Sequence, residues 1–590
     1  MATYSTADGE QTIIAERIIT TTGAYTLPAL LPFVPKEKME RISNLHYAPV
    51  VQASVGFRDT GALRFDAFGG LVPSCEKKDV LGILFPSACF TGRAPEEGAL
   101  FSFFIGGVKH ADLTTWPEEE LKALIRRELH TMLKFPEETE PDMIRIFRHE
   151  HAIPQYEQSS GSPFETIEEL HILQPGSAIH ISARTPERFL RAGCKVIRQG
   201  HGYPSVFNPD VYIQELMRQG KSLQDAREGG CSGCIEVGAF GKEAYVLTGY
   251  LNVPKILEVT LHNGVDPVSG RKVGLETGDP RSFGSYDELY AAFMKQVRYF
   301  VDMKVRVSNY IDRMFAKYAP ATFLSLFIDD CIAKGRDYYN CGPRYNTTYI
   351  QCTGLGTITD SLVTLKKHIF EDKRWSMDEL LKAMADNFEG AEAMRQTILN
   401  RTPFFGNDDE YADSIAVKVF DDLYDTIEGK PNTKGECFHL NMLSTTCHVY
   451  FGKVMGATPN GRLAGRAISD GTSPSHGADT HGPSAVIKSL GKLDQVKSGG
   501  TLLNQRFLPS LLKREEDISK LSSLIRSYFA LGGHHIQFNI VDTETLYAAQ
   551  KCPEDYRDLL VRVAGYSDYF NDMNADLQAD VIMRTEQETF

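Results

Sequence analysis

Long apolar runs are missing from this chain. The best candidate near its start, "LPALLPFV", falls far short of a bilayer span and holds two prolines, so the sequence predicts neither a membrane helix nor a secretory signal. Basic charge is in deficit too. Lys and Arg number 63 against 77 Asp and Glu, leaving a formal charge of −14, a balance that argues against nucleic acid or an anionic membrane as partner. The 11 cysteines form no paired framework, which points to a reducing, cytoplasmic setting. A lone C-x-x-C, Cys231 and Cys234, has no second pair at zinc spacing, so no metal site is expected. His149 and His151 can share one strand face, with no third ligand beside them. A G-x-G-x-x-G dinucleotide loop is absent as well. The nearest approach, "GLGTIT" at 354–359, lacks the third glycine and reads as a turn.

Apolar mass is plentiful: 42% of 590 residues, with 33 Phe and 25 Tyr, enough for more than one domain. The character of the chain changes near residues 160–170. Before that point come strand-like runs, "YAPVVQASVGF", "GALFSFFIGG" and "MIRIFRHEHAIP", around a helical "EEELKALIRRELHTML", an α+β texture. After it the chain is strongly helical. Ser285 and Glu288 stand at capping-box spacing ahead of an apolar stripe of Leu289, Phe293, Val297 and Val301, and Ser376 with Glu379 repeats the device. "HHIQFNIVD" alternates Ile536, Phe538 and Ile540 with polar residues, as a strand does. The Gly-, Ser- and Pro-rich stretch 456–485 is either a linker or a long ordered loop.

Two segments carry candidate chemistry. "GGCSGCIEVGAFGKEAYVLTGYLN" (229–252) is rich in glycine, which permits an irregular path and close approach. In an extended segment Cys234 and Glu236 would point the same way. A carboxylate beside a thiol opposes thiolate formation, but it suits hydrogen-atom chemistry in which sulfur stays neutral and the carboxylate moves a proton. A redox dithiol of Cys231 and Cys234 is the competing reading. The second segment is "RVAGYSDYF", whose Gly565 would by default be a turn residue.

"GCIE" followed by "RVAGYSDYF" 331 residues later (565 − 234), with "ATPNGRLAG" and "SDGTSPSHGADTHGPSAVIKS" between them, resembles the glycyl radical enzymes over about residues 167–590. Only glycine stores a Cα radical well, because a Cβ would resist flattening and offer a competing hydrogen. The resemblance implies a radical on Gly565, transfer to Cys234 as a thiyl radical, and Glu236 as acid and base. It implies the family's ten-stranded α/β barrel, of which this chain would hold the second half with its surrounding helices. The partners implied are a small-molecule substrate, a radical-SAM activating enzyme that installs the radical, and a second copy in a homodimer. A cysteine with Glu two residues on resembles the dehydratase, decarboxylase and lyase branch. "LSTTCHVYFGKVMGA" and "GGTLLNQRF" look most like the members that dehydrate trans-4-hydroxy-L-proline, with Tyr250 and Thr445 at substrate-lining positions. Val237 stands where Thr is expected, so isethionate, a diol or choline are alternative substrates.

Residues 8–165 resemble the middle of protoporphyrinogen oxidase, without its dinucleotide loop or flavin-contacting tail, so no FAD binding is expected. The predicted organisation is a flavoenzyme-like α+β fragment at 1–166, a pyruvate-formate-lyase-like barrel half at 167–455 and a glycine radical domain at 456–590. The join falls near "ETIEELHILQPG". A chain joined in this way is either a radical dehydratase or a fusion remnant without activity.

Overall fold

In the computed structural model, described here for residues 2–6, 9–13, 21–73, 76–155 and 177–590, the chain divides into a unit of Met1–Ile172 and a unit of Leu173–Phe590. The expected boundary at 166 and the proposed join lie outside the described residues.

The first unit is built on an antiparallel sheet of five strands. Its order is Gly69–Leu71, Val80–Leu84, Ala99–Gly106, Tyr47–Phe57, Met143–Pro154. The period of two is visible in burial: Val51, Ala53, Val55 and Phe57 face inward opposite Phe101, Phe103 and Ile105. The helix Glu118–Thr131 closes that face with Leu121, Leu124, Ile125 and Leu129. His149 and His151 lie on the outermost strand, where the His151 ring packs against Tyr25 at 4.1 Å.

The second unit is a curved parallel sheet wrapped in helices. Glu243–Asn252, Tyr345–Thr353 and Phe438–Asn441 run parallel in that order. A parallel bridge from Met442 to Thr501 leads on to the parallel pair Asn504–Phe507 and His535–Ile540. Ser205–Phe207 then pairs antiparallel with His535–Ile540, and Ala178–His180 joins it in parallel. Glu586–Gln587 pairs in parallel with Asn504–Phe507, so six strands share one direction and two run against it. Both faces of Tyr345–Thr353 and His535–Ile540 are buried, as parallel sheets require.

Local signals set the helices. Ser285 caps Tyr286–Tyr318 by accepting from the Glu288 N–H at 3.2 Å, while the Glu288 carboxylate accepts from the Gly284 N–H. Ser376 and Glu379 form the full reciprocal capping box. Leu289, Phe293, Val297 and Val301 are completely buried. "GLGTIT" is not an isolated turn. Gly354, at φ +92°, caps the wholly buried helix Leu355–Thr364, and a Cβ there would meet Pro254 at 2.6 Å. The 456–482 stretch is ordered, pinned by Thr357 and Ser469, each backbone N–H donating to the other's hydroxyl at 3.0 and 2.9 Å.

Asp360 on the same buried helix accepts from the Phe405 N–H at 2.8 Å, and burial pushes its carboxyl up to about 7. A raised folded-state value means the fold prefers the protonated acid. Its contribution is therefore complete below the unfolded value and is lost as pH rises through about 7, by up to about 4 kcal/mol for a shift of this size. Buried Asp479, held up at about 6, adds in the same sense. Thermal unfolding followed from about pH 5 to about pH 8 should show falling stability, with a flatter profile for Asp360→Asn. An unchanged profile in the variant would refute the assignment.

Candidate functional site

Two short hairpins meet tip to tip. Gly230–Cys231 pairs antiparallel with Val237–Gly238, and the intervening loop is closed by the Ser232 N–H donating to the Glu236 carbonyl at 2.8 Å. The segment is thus a tight loop and not an extended strand in which Cys234 and Glu236 would share a face, because closing the hairpin over so few residues forces a reversal. Gly233 fits there only without a side chain, since a Cβ would lie 2.6 Å from Glu236 Oε2. The second hairpin pairs Leu560–Arg562 with Ser567–Tyr569, with Gly565 at its tip in the left-handed region at φ +89°. A Cβ on Gly565 would lie 2.1 Å from Cys234 Cβ, 2.8 Å from Sγ and 2.9 Å from Cα. No side chain fits. The two residues 331 positions apart in sequence (565 − 234) are in van der Waals contact.

The surroundings hold Cys234 as a neutral thiol. Ile235, Leu443, Leu502 and Ala564 pack about it, and burial, followed by the charge of Glu236, pushes it up to about 12. Cys231 rises to about 11, again through burial first, and its thiol donates to the Gly233 carbonyl. Both are free thiols. Neither environment favours the thiolate that a redox dithiol needs. Glu236 is buried, its Oε2 accepting from the Ile235 N–H at 2.9 Å. It lines a cleft of about 440 Å³ with Tyr245, Leu247 and Tyr338. The Tyr250 hydroxyl lies 2.7 Å from Thr445 Oγ1, with Thr445 strained at φ +50°. Burial raises Tyr250, the hydrogen bond with Thr445 opposes that shift, and the Glu236 carboxylate adds to it. The structure therefore gathers Cys234, Gly565 and Glu236, with the Tyr250–Thr445 pair within electrostatic reach.

Sequence reasoning missed the polar frame that sets the glycine hairpin. Gln537 Oε1 accepts from the Gly565 N–H at 3.1 Å and from Arg562 Nε at 2.8 Å. Asn539 exchanges two hydrogen bonds with the Arg562 backbone at 2.7 and 2.8 Å, and Asn504 donates to the Val563 carbonyl at 3.0 Å. Arg562 is almost fully buried, and desolvation brings it down to about 10. The signal was in "HHIQFNIVD": its polar residues His535, Gln537 and Asn539 are as buried as the apolar ones they alternate with. Gly500 clamps the cysteine loop as well, at a point where a Cβ would meet the Ile235 carbonyl at 2.6 Å. No cluster of three or more His, Cys, Asp or Glu able to hold a metal occurs among the described residues. Nor is any of their helices long and apolar enough to cross a membrane.

Comparison with known proteins bears on this geometry. A family model described as pyruvate formate lyase-like matches residues 158–452, and one described as glycine radical matches 468–571. A third, flavin containing amine oxidoreductase, matches 1–203, overlapping the first and running past the expected boundary at 166. Trans-4-hydroxy-L-proline dehydratase of Clostridioides difficile is 52% identical over 423 residues, 72% of this chain and 54% of the relative. Isethionate sulfite-lyase of Oleidesulfovibrio alaskensis is 37% identical over 426 residues, 70% of this chain and 51% of the relative. The chain thus spans about half the length of these relatives. Among solved structures, hydroxyproline dehydratase from Clostridioides difficile with trans-4-hydroxy-L-proline bound superposes with a TM-score of 0.72 at 51% identity, over 73% of this chain and 55% of that one. Glycerol-bound B12-independent glycerol dehydratase from Clostridium butyricum gives 0.70 at 37% identity, over 74% and 55%. With its barrel strands, its cysteine loop and its glycine hairpin in these places, the chain belongs to the glycyl radical enzyme family.

Proposed function

We propose that this chain carries the radical machinery of a carbon–oxygen lyase that removes water from a small hydroxylated substrate, trans-4-hydroxy-L-proline by preference. The observation that carries the reading is the contact between Gly565 and Cys234, too close for any Cβ. The 52% identity to a named hydroxyproline dehydratase supports this choice of substrate. Val237, in place of Thr beside Glu236, keeps isethionate or a diol as the second choice.

In this reading a radical-SAM activating enzyme removes a hydrogen atom from the Gly565 Cα. The glycyl radical takes the hydrogen atom of the neutral Cys234 thiol, leaving a thiyl radical. The thiyl takes a hydrogen atom from the substrate carbon beside the hydroxylated one. Glu236 protonates the departing hydroxyl, water leaves, and the substrate returns a proton to Glu236 as unsaturation forms. Cys234 then gives its hydrogen atom back. The mass balance is loss of one water. Tyr250 and Thr445 would orient the hydroxylated ring. The working protein is a cytoplasmic homodimer, and residues 1–172 hold no FAD, because they carry no dinucleotide loop; stoichiometric flavin absorbance in the purified chain would overturn that point.

Neutrality of the thiol is testable without turnover. Alkylation of the unactivated chain at about pH 8, followed by peptide mass spectrometry, should find Cys234 at least about 100-fold slower than the exposed Cys89 and Cys552. A fast Cys234 would return the redox dithiol to first place. With activating enzyme and S-adenosylmethionine under anaerobic conditions, the wild-type chain should give a glycyl EPR signal. Cys234→Ser should keep the signal and lose all turnover, since an O–H bond is too strong to replace S–H. Cys231→Ser should be far milder, and equal loss from both would sink the assignment.

Oxygen gives a readout of the radical site alone. Airing the activated chain should cut it at Gly565 and release the 25 residues beyond it (590 − 565), starting at Tyr566. Gly565→Ala should give neither signal nor cut. A full-length relative activated in the same tube is the control, and an intact wild-type chain beside a cleaved relative would refute the radical assignment.

A further inference from the structure

The helix Tyr286–Tyr318 has two apolar stripes. The first, ending at Val305 and continued by buried Ser308 and Asp312, faces the core. The second begins where the first ends. Val307, Tyr310, Ile311, Met314 and Tyr318 recur at helical spacing on a different face, and Tyr310 and Tyr318 are 64% and 65% exposed. The following segment prolongs it with Phe323, Phe327 and Ile332, each more than 60% exposed. Soluble proteins seldom leave a contiguous apolar patch beyond a few hundred Å² uncovered, and larger ones mark interaction sites.

The patch runs into the candidate site. Phe315 packs on Tyr339 at 5.5 Å, and the neighbouring Tyr338 lines the Glu236 cleft, its hydroxyl accepting from the Tyr245 N–H. Behind Phe327, the Asp329 N–H donates to the Gly241 carbonyl at 2.7 Å, tying the patch to the hairpin that carries Glu236. Phe240 and Leu247, both exposed, complete the rim. Beside them Glu243–Asn252 is the outer strand of its sheet.

We propose that this surface docks a separate polypeptide equivalent to the part of the full-length relatives that this chain does not match, and that the barrel and the cleft are completed in trans. Three observations select this occupant. The match to the hydroxyproline dehydratase covers 54% of that protein, so a partner of the remaining size is defined. The apolar patch is continuous with an open cleft and an outer strand, as a cut through a core leaves it. Its aromatic and aliphatic make-up is that of an obligate interface. The inference rests on family membership and not on the reaction proposed above, and binding is read without turnover.

The test uses the full chain, mixed with a separately expressed polypeptide holding the part of the Clostridioides difficile relative that lies outside the matched region. A 1:1 complex is expected on size-exclusion chromatography, with slowed amide exchange over 307–332 and 243–252. Tyr310→Glu with Tyr318→Glu should weaken it at least tenfold with unchanged melting. Tyr547→Glu, exposed on the separate helix Thr543–Lys551, should not. No complex, a complex indifferent to the stripe, or a stripe already protected in the chain alone by self-association or by residues 1–172 would each overturn the proposal.

Discussion

The contact between the Gly565 Cα and the Cys234 side chain is the constraint on which the second unit is organised. It is satisfied only if residue 565 has no Cβ and accepts a left-handed φ of +89°, conditions that glycine alone meets cheaply. Hydrogen-atom transfer is short-ranged, so the two loop tips must also be held still. The cysteine loop is gripped by Gly565 at Cys234 and by Gly500 at Ile235. Two glycines remove the side chains that would otherwise keep the backbones apart.

Holding a loop tip in a dry interior creates a polar problem that the barrel strands solve. Every buried N–H and carbonyl of the glycine hairpin needs a partner, or stability falls by about 1–3 kcal/mol for each one left alone. Gln537, Asn539 and Asn504 supply them from neighbouring parallel strands, and Arg562 ties the hairpin back to Gln537. The same dryness that makes these bonds strong keeps Cys234 protonated. Rigidity and a neutral thiol thus have one physical origin.

The other side of the cleft is different in kind. Gly565 and its hairpin neighbours Val563 and Ala564 are buried, whereas beyond Glu236 the unit ends in half-exposed Phe240 and Leu247 and an outer strand. The antiparallel unit of Met1–Ile172 has its own hydrophobic core, built from Phe101, Phe103 and the helix Glu118–Thr131. The residues named above at the radical site all belong to the second unit.

Much of this was legible in the sequence. The capping pairs at Ser285 and Ser376 act over three residues, and the stripe from Leu289 to Val301 follows from helical period, so both are written locally. So are the strands Tyr47–Phe57 and Met143–Pro154, whose bounds match the alternating text. The family was legible through two short motifs, because radical storage accepts glycine alone. What sequence by itself could not determine lies where burial overrides pattern. "HIQFNI" reads as a half-exposed strand because its polar residues alternate, yet burial on both faces turns Gln537 and Asn539 into the frame of the hairpin. "GLGTIT" reads as a turn, and only packing against Pro254 and the 456–482 stretch makes it the head of a buried helix. Cys234 and Glu236 suggest an extended pair, but the loop's reversal, forced by its hairpin, points Glu236 into a cleft and Cys234 at Gly565. Local period and residue chemistry are properties of neighbours in the chain. Which polar face is dry, and which tips touch, is decided by strands hundreds of residues apart.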